Sequence, residues 1–177
     1  MKIFKYTTLF ILISISSFLI SCNSDIDENK IKKEYEYKNG VYINKKNGKL
    51  LNAKLVKPKT TEGLQWSYEI GEYKNGVRIG TWKKWQIGDI EKGENDYVIS
   101  IDNYALNGKK LKHTGFSKKD DGTIGKSTEN IYDYKKAIII FTRFGQCGKK
   151  TSEDKWKMNK DGSLGKLISQ MNFSNCK

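Results

Sequence analysis

The side chains that could carry chemistry are few and lie far apart in the sequence. His113 is the single histidine, and no carboxylate lies nearer to it along the chain than Asp120. Catalysis needs a nucleophile with a base, a carboxylate pair or a bound metal, and zinc sites use closely spaced ligands. Cys147 and Cys176 are too widely separated to complete such a set with His113. The sequence therefore predicts no catalytic residue, no metal site and no cofactor, and an enzyme is the least favoured class.

The same two cysteines are candidates for a disulfide. Thiols pair in oxidising compartments, and closing the loop of about 30 residues between Cys147 and Cys176 would stabilise the fold by roughly 3.5 kcal/mol on the chain-entropy estimate. Two unpaired thiols are the alternative, because the sequence does not reveal the geometry that a disulfide requires.

The N-terminus has the profile of an export signal. Lys2 and Lys5 precede an apolar run from Leu9 to Ile20, which only serines interrupt. A helix of that run would be roughly 18 Å long at about 1.5 Å per residue, well short of the ~30 Å core of a bilayer. Residues 1–21 are therefore predicted to be a cleaved signal peptide and not a permanent membrane span.

Residues Leu19-Ile20-Ser21-Cys22 resemble the lipobox of bacterial lipoproteins. The resemblance implies that Cys22 carries a diacylglyceryl group and an acylated amino terminus, and several acyl chains hold a protein firmly on a membrane. The polar, acidic stretch Asn23–Glu28 is loosely similar to the surface-export signal of Bacteroidetes lipoproteins. We expect an outer-membrane lipoprotein that faces either the periplasm or the outside, with residues 22–33 as a flexible tether.

The strong positive charge restricts the kinds of partner. The formal net charge is +13 and falls to about +11 once Lys2 and Lys5 are removed with the signal. Such a charge favours lipid headgroups, polyanionic glycans or an acidic protein surface. Export from the cytoplasm argues against nucleic acid.

From Glu34 onward the pattern is typical of strands. Apolar residues alternate with polar ones, as at Trp66, Tyr68 and Ile70, and no stretch has a helical period. Asn-Gly and Asp-Gly pairs tolerate the positive φ of tight turns, so each marks an expected chain reversal. These pairs are Asn39-Gly40, Asn47-Gly48, Asn75-Gly76, Asn107-Gly108, Asp121-Gly122 and Asp161-Gly162. We predict an all-β domain over 34–177, an antiparallel sheet of successive hairpins without substantial helix, in which Ala137–Phe141 is a central strand buried on both faces.

A short repeat punctuates the first half of this domain. Tyr-Lys-Asn-Gly-Val occurs at 37–41 and again at 73–77, and Tyr104–Gly108 is a looser copy. The second copy extends through Gly80 to Trp82 and Trp85, and in this form it resembles the MORN repeat and the variant found in small bacterial antitoxin-type proteins. The spacing predicts that Gly80 lets the returning strand pass close to its neighbour and that Trp82 packs near Tyr73.

The resemblance covers about 35–117, and 118–177 stays unassigned. It implies structural roles for Tyr73, Gly76, Gly80 and Trp82, and a binding or scaffolding module with a protein partner, an acidic one among the candidates. The alternatives are a toxin-neutralising antitoxin or immunity lipoprotein and, less favoured, an envelope glycan-binding protein or hydrolase. The last would use the tryptophans, which are Trp66, Trp82, Trp85 and Trp156. The oligomeric state stays open.

Overall fold

The computed structural model describes residues 24–58, 66–89 and 92–173. The predicted signal peptide and the lipidation site Cys22 lie outside these ranges, so the membrane anchor stays a prediction. Within the described ranges, no helix has the length and apolar character needed to cross a bilayer.

The described chain is mostly strand, with one helix of seven residues. In chain order the elements are β1 (Ser24–Ile26), α1 (Glu28–Glu34), β2 (Tyr35–Lys38), β3 (Val41–Asn44), β4 (Ala53–Leu55), β5 (Ser67–Lys74), β6 (Val77–Gln86), β7 (Tyr97–Tyr104), β8 (Lys110–Lys118), β9 (Ile124–Asp133), β10 (Ile138–Phe144), β11 (Lys150–Met158) and β12 (Leu164–Asn172).

One ten-stranded sheet contains all strands except β2 and β3, in the order β1-β4-β5-β6-β7-β8-β9-β10-β11-β12. From β4 to β12 each strand pairs antiparallel with the next one in the chain, whereas β1 pairs parallel with β4. The strands β2 and β3 form a separate hairpin. The predicted all-β fold of successive antiparallel hairpins is confirmed, and all six predicted turn dipeptides lie at chain reversals.

The predicted tether is wrong for residues 24–33. Ser24–Ile26 forms an edge strand of the sheet, and α1 follows immediately, begun by Asp27, whose carboxylate accepts a hydrogen bond from the backbone N–H of Lys30 at 2.8 Å. Ile26 and Ile31 are both buried. The acidic side chains suggested a solvated linker, but Asp27 caps the helix and the segment contributes two isoleucines to the core.

The N-terminal part of the sheet is covered by a second layer. The helix α1 and the β2–β3 hairpin lie against the strands β4 to β7, and Tyr35, Tyr42 and Tyr104 pack against the core between them. The buried core residues are Ile26, Ile31, Leu51, Ala53, Leu55, Tyr73 and Trp82. Burying this apolar surface is the main force that holds the two layers together.

The strands β8 to β12 form a single layer, because among the described residues they contact chiefly the adjoining strands. The prediction for Ala137–Phe141 is therefore right about a central strand and wrong about burial on both faces. Only Ile139 of this run is buried, and Ala137 lies in the preceding turn with a φ of 52°.

Candidate functional site

The three copies of the repeat meet at one cavity of about 520 Å³ beside the β2–β3 hairpin. Each copy contributes its tyrosine and its turn glycine, so residues that are far apart in the sequence become neighbours. We call this cavity the tyrosine pocket, and its lining consists of Tyr37, Gly40, Tyr42, Tyr73, Gly76, Val77, Arg78, Tyr104, Asn107, Gly108 and Lys109. Its volume falls within the usual range for ligand sites in proteins.

The turn glycines allow the copies to stack. A Cβ on Gly76 would lie 2.9 Å from the Cβ of Val41, and a Cβ on Gly108 would lie 2.9 Å from the Cβ of Val77. Each glycine therefore receives the valine that follows the turn of the preceding copy. Both glycines also have a positive φ, 76° and 79°, which side chains with a Cβ rarely adopt. The Asn-Gly-Val part of the repeat thus lets the turn of one copy pack directly against the turn of the next.

A chain of touching rings forms one wall of the pocket. The ring centroids of Tyr37 and Tyr42 are 5.1 Å apart, those of Tyr42 and Tyr73 are 5.2 Å apart, and those of Tyr73 and Trp82 are 4.8 Å apart. The last contact is the one that the repeat spacing predicts. Edge-to-face and tilted arrangements of this kind fix ring orientations. Because Trp82 is only 2% exposed, the wall is fastened to the core at one end and open to solvent at Tyr37.

The expected close approach occurs at Gly71 and not at Gly80. A Cβ added to Gly71 would overlap the indole ring of Trp82, whereas one added to Gly80 would meet open space. The strand pairing shifts between Ile70 and Glu72, and this irregularity folds Trp82 back over Gly71. Gly80 is required instead for its φ of 64° within the same irregularity.

Arg78 joins the pocket to a second, smaller cavity. Its guanidinium lies 4.2 Å from the centre of the Trp82 ring, and Nη2 donates to Oε2 of Glu69 at 2.6 Å. Burial disfavours the charged guanidinium, but Glu69 and Tyr73 more than offset this and hold the pKa of Arg78 above its ordinary value. Arg78, Tyr42 and Tyr73 also line a neighbouring cavity of about 250 Å³ under α1.

The phenol of Tyr73 stays protonated. Burial raises the pKa of Tyr73 well above its ordinary value, and the positive charge of Arg78 only partly opposes the shift. A neutral phenol keeps its O–H as a hydrogen-bond donor. Tyr73 therefore does not change its charge across the physiological pH range.

The mouth of the tyrosine pocket carries a positive charge without a nearby acid. Lys109 lies at the mouth, and its Nζ sits 4.9 Å from the centre of the Tyr134 ring. No carboxylate lines the pocket, and no described carboxylate forms an ion pair with Lys109. The pocket thus combines aromatic faces with a free ammonium group, a combination suited to an anionic or polar ligand.

The structure brings His113 next to a carboxylate that the sequence argument missed. Asp102 lies directly opposite His113 in the pairing of β7 with β8, and Nδ1 of His113 is 2.7 Å from Oδ1 of Asp102. Nζ of Lys110 is 3.2 Å from the same oxygen. Burial tends to raise the pKa of Asp102, but the contacts with His113 and Lys110 outweigh it and lower that pKa.

The Asp102–His113 pair could orient an imidazole for acid–base chemistry, but a nucleophile would also be needed. In the part of the chain that the structure describes, no hydroxyl or thiol hydrogen-bonds to the other ring nitrogen of His113. The same part holds no group of three or more metal-ligating side chains. The pair is best described as a polar cross-strand contact on the same face of the sheet as Trp82, which lies opposite Asp102.

The remaining predicted residues lie outside the tyrosine pocket. Cys147 is disulfide-bonded, while Cys176 lies outside the described residues, so their pairing stays a prediction. Trp66, which immediately precedes β5, is 76% exposed, and Trp85 and Trp156 are half-buried in β6 and β11. No aromatic-lined groove gathers the four tryptophans in the described cavities; the tyrosines of the repeat form one instead.

Comparisons with known proteins add little to this picture. No family model matches the chain, and no curated protein matches it. Among solved structures, a protein of unknown function from Bacteroides fragilis NCTC 9343 is similar over 64% of this chain and 96% of its own, with 9% identity and a TM-score of 0.24. A TM-score this low supports no argument about fold or function.

Proposed function

We propose that the protein is a lipid-anchored, non-enzymatic binding module of the cell envelope, and that its partner occupies the tyrosine pocket. The observation that carries this proposal is the convergence of three repeat copies on one cavity, since each copy supplies a tyrosine and a turn glycine to it. Contacts that only hold hairpins together normally fill the space between them, because protein interiors are close-packed.

The pocket has the properties of a prepared binding site. Tyrosine offers a large apolar face and a polar tip at low cost in side-chain entropy, which is why it is common in binding surfaces. Here the ring contacts already fix Tyr42 and Tyr73, so a ligand would not have to order them. Tyr37 is 67% exposed and is available to contact a partner.

Gently solubilised envelope offers the direct test, with the tagged, lipidated protein used to capture its partner. We expect one stoichiometric partner that survives a high-salt wash, and we expect Tyr37→Ala to lose it. Tyr37 lies at the open end of the ring chain, so its removal should leave the core intact. Trp66→Ala is the matched control, because Trp66 is also strongly exposed, at 76%, and lies outside the pocket.

Two outcomes would contradict the proposal. Recovery of the same partner with Tyr37→Ala would place the binding site elsewhere. Recovery of salt-labile anionic material alone would mean that the protein has no specific partner in the pocket.

A further inference from the structure

Five turns of the protein lie side by side at one end of the strands. In a meander the hairpin turns alternate between the two ends of the sheet, which places the β5–β6, β7–β8, β9–β10 and β11–β12 turns together. The β2–β3 turn joins them, since Gly40 lines the same pocket as Gly76 and Gly108. We call this row the turn rim.

The turns of the rim touch one another. Gly76 meets Val41, and Lys109 lies over the ring of Tyr134. Tyr134 in turn lies beside the β11–β12 turn: a Cβ added to Gly162 would be 3.8 Å from the Tyr134 hydroxyl. With strands about 4.8 Å apart, the rim is a continuous edge several strand widths long.

The rim carries uncompensated positive charge. Five lysines, one at each turn, are exposed, and none forms an ion pair with a described carboxylate: Lys38, Lys74, Lys109, Lys135 and Lys160. Asp161, a carboxylate of the rim, is engaged by the turn itself, since it accepts hydrogen bonds from the backbone N–H and the hydroxyl of Ser163.

The opposite end of the strands differs in its charge balance. There three lysines are neutralised by neighbouring acids: Lys57 with Asp96 at 2.7 Å, Lys92 with Asp89 at 2.8 Å, and Lys118 with Glu94 at 3.1 Å. Lys119 and Lys149, in the β8–β9 and β10–β11 turns, form no ion pair with a described carboxylate. The net positive charge of the protein is therefore not spread evenly, and the turn rim holds an unpaired share of it.

The chain enters the sheet at the rim end. Ser24 pairs with Ala53, and Ala53 pairs with Tyr73, which lies two residues before the Asn75-Gly76 turn. In the sequence, the predicted lipidation site Cys22 precedes Ser24 by two residues. The first described strand therefore begins at the end of the sheet that carries the lysines.

An exposed leucine projects from the same edge. Leu106 lies in the β7–β8 turn and is 81% exposed. A leucine beside lysines is the combination that lets a surface sit at a headgroup layer, with the charges on the phosphates and the apolar side chain beneath them.

We propose that the turn rim is a membrane-docking surface that lies on anionic phospholipid headgroups. The proposal rests on the lipid anchor of the proposed function for its biological setting, but the rim is a property of the described residues alone. Acyl chains hold a protein to a bilayer without orienting it, whereas a row of lysines attracted to phosphates fixes which end faces the membrane. Docking brings the tyrosine pocket to headgroup level, where a membrane component is its nearest partner.

The test uses the full mature chain with Cys22→Ala, so that no acyl chain contributes to binding. Co-sedimentation is measured with vesicles of phosphatidylcholine that contain phosphatidylglycerol. We expect binding at low salt that is lost at high salt, because surface charges are screened. At about fivefold in affinity per lysine, the variant Lys74→Gln, Lys135→Gln, Lys160→Gln should bind roughly 100-fold more weakly.

A matched control removes the same charge from the other end of the strands: Lys92→Gln, Lys118→Gln, Lys149→Gln. We expect this variant to lose no more than about fivefold. An equal loss in both variants would overturn the proposal, because net charge and not the rim would then cause binding. Absence of binding to the anionic vesicles, with binding to alginate retained, would overturn it too and assign the rim to an acidic polysaccharide.

The anchor and the rim fail separately. If Cys22→Ala leaves the protein in the cellular membrane fraction after signal cleavage and a high-salt wash, which removes binding through the rim, lipidation of Cys22 is wrong, but the vesicle result stands. If the vesicle assay fails while Cys22→Ala releases the protein, the anchor stands and the docking surface does not.

Discussion

Two halves of one sheet share the same antiparallel strand pattern but differ in whether a second layer covers them. In the layered half, residues 24–104 within the described ranges, α1 and the β2–β3 hairpin cover the strands and bury an aromatic and aliphatic core. In the single-layer half, residues 110–173, Ile139 and Met158 are the buried apolar residues, and the other buried side chains are the polar groups of Thr114, Thr142, Ser152 and Asp154. Alternating strands specify a sheet, but a second layer is needed to make a core and a pocket.

Charged pairs take over part of the stabilisation in the single-layer half. Oε1 of Glu129 lies 2.8 Å from Nζ of Lys112, on the adjoining strand, and 3.0 Å from Nζ of Lys126, on its own strand. These contacts are partly exposed, so each contributes less than a buried apolar side chain does. The comparison therefore predicts that the layered half is the more stable and holds the binding site.

The largest expected difference between the halves concerns their tryptophans. Trp82→Ala removes a buried ring that contacts Tyr73, Arg78 and Gly71, and we expect it to lower the free energy of unfolding by about 3–5 kcal/mol. Trp156→Ala, in the single-layer half, should cost about 1–2 kcal/mol because that ring is half-buried. Denaturant unfolding measures both, and equal losses would remove the distinction between the halves.

A smaller effect concerns pH. The hydrogen bond from Lys112, with a second from Lys126, lowers the pKa of Glu129 below its ordinary value against the opposing effect of burial. A carboxyl whose pKa is lower in the folded state stabilises the fold above its unfolded pKa, near 4.5, and this contribution is lost as the pH falls through the lowered value. Glu129→Gln should therefore cost about 1 kcal/mol at pH 7 and progressively less at acid pH.

Glu36→Gln is the control for this experiment, since Glu36 is exposed on β2 and forms no ion pair with a described residue. Unfolding curves recorded between neutral and acid pH give the comparison. A loss that stays constant with pH for Glu129→Gln would mean that the ion pairs of the single-layer half do not contribute to its stability.

Local signals predicted the strands and many of the turns. Asn75-Gly76 and Asp161-Gly162 were correct because their residues tolerate the backbone conformation of a turn. The turn between β9 and β10 was missed, because Ala137 adopts a positive φ and alanine is not a residue from which such a turn is predicted. The entry of Ile26 and Ile31 into the core was missed as well, because each is surrounded by charged residues and only tertiary packing shows their role.

The site was less predictable than the fold. The repeat spacing placed Trp82 near Tyr73 because both belong to one hairpin, but the pocket depends on three hairpins that meet. The contact between Asp102 and His113 depends on the register of β7 against β8, which an irregularity at Asn103 and Tyr104 helps to set. A shift of one residue would move either side chain to the other face, and no local pattern in the sequence fixes that register.

Amide hydrogen exchange of the lipidated protein, measured with and without its captured envelope partner, shows whether the partner occupies the tyrosine pocket. We expect the slowest exchange in β5 and β6, and further slowing on binding in the β2–β3 hairpin and at the Asn75-Gly76 and Asn107-Gly108 turns, which frame the tyrosine pocket. Slowing confined to β10, β11 and β12 would contradict this expectation, because the partner would then occupy the single-layer half.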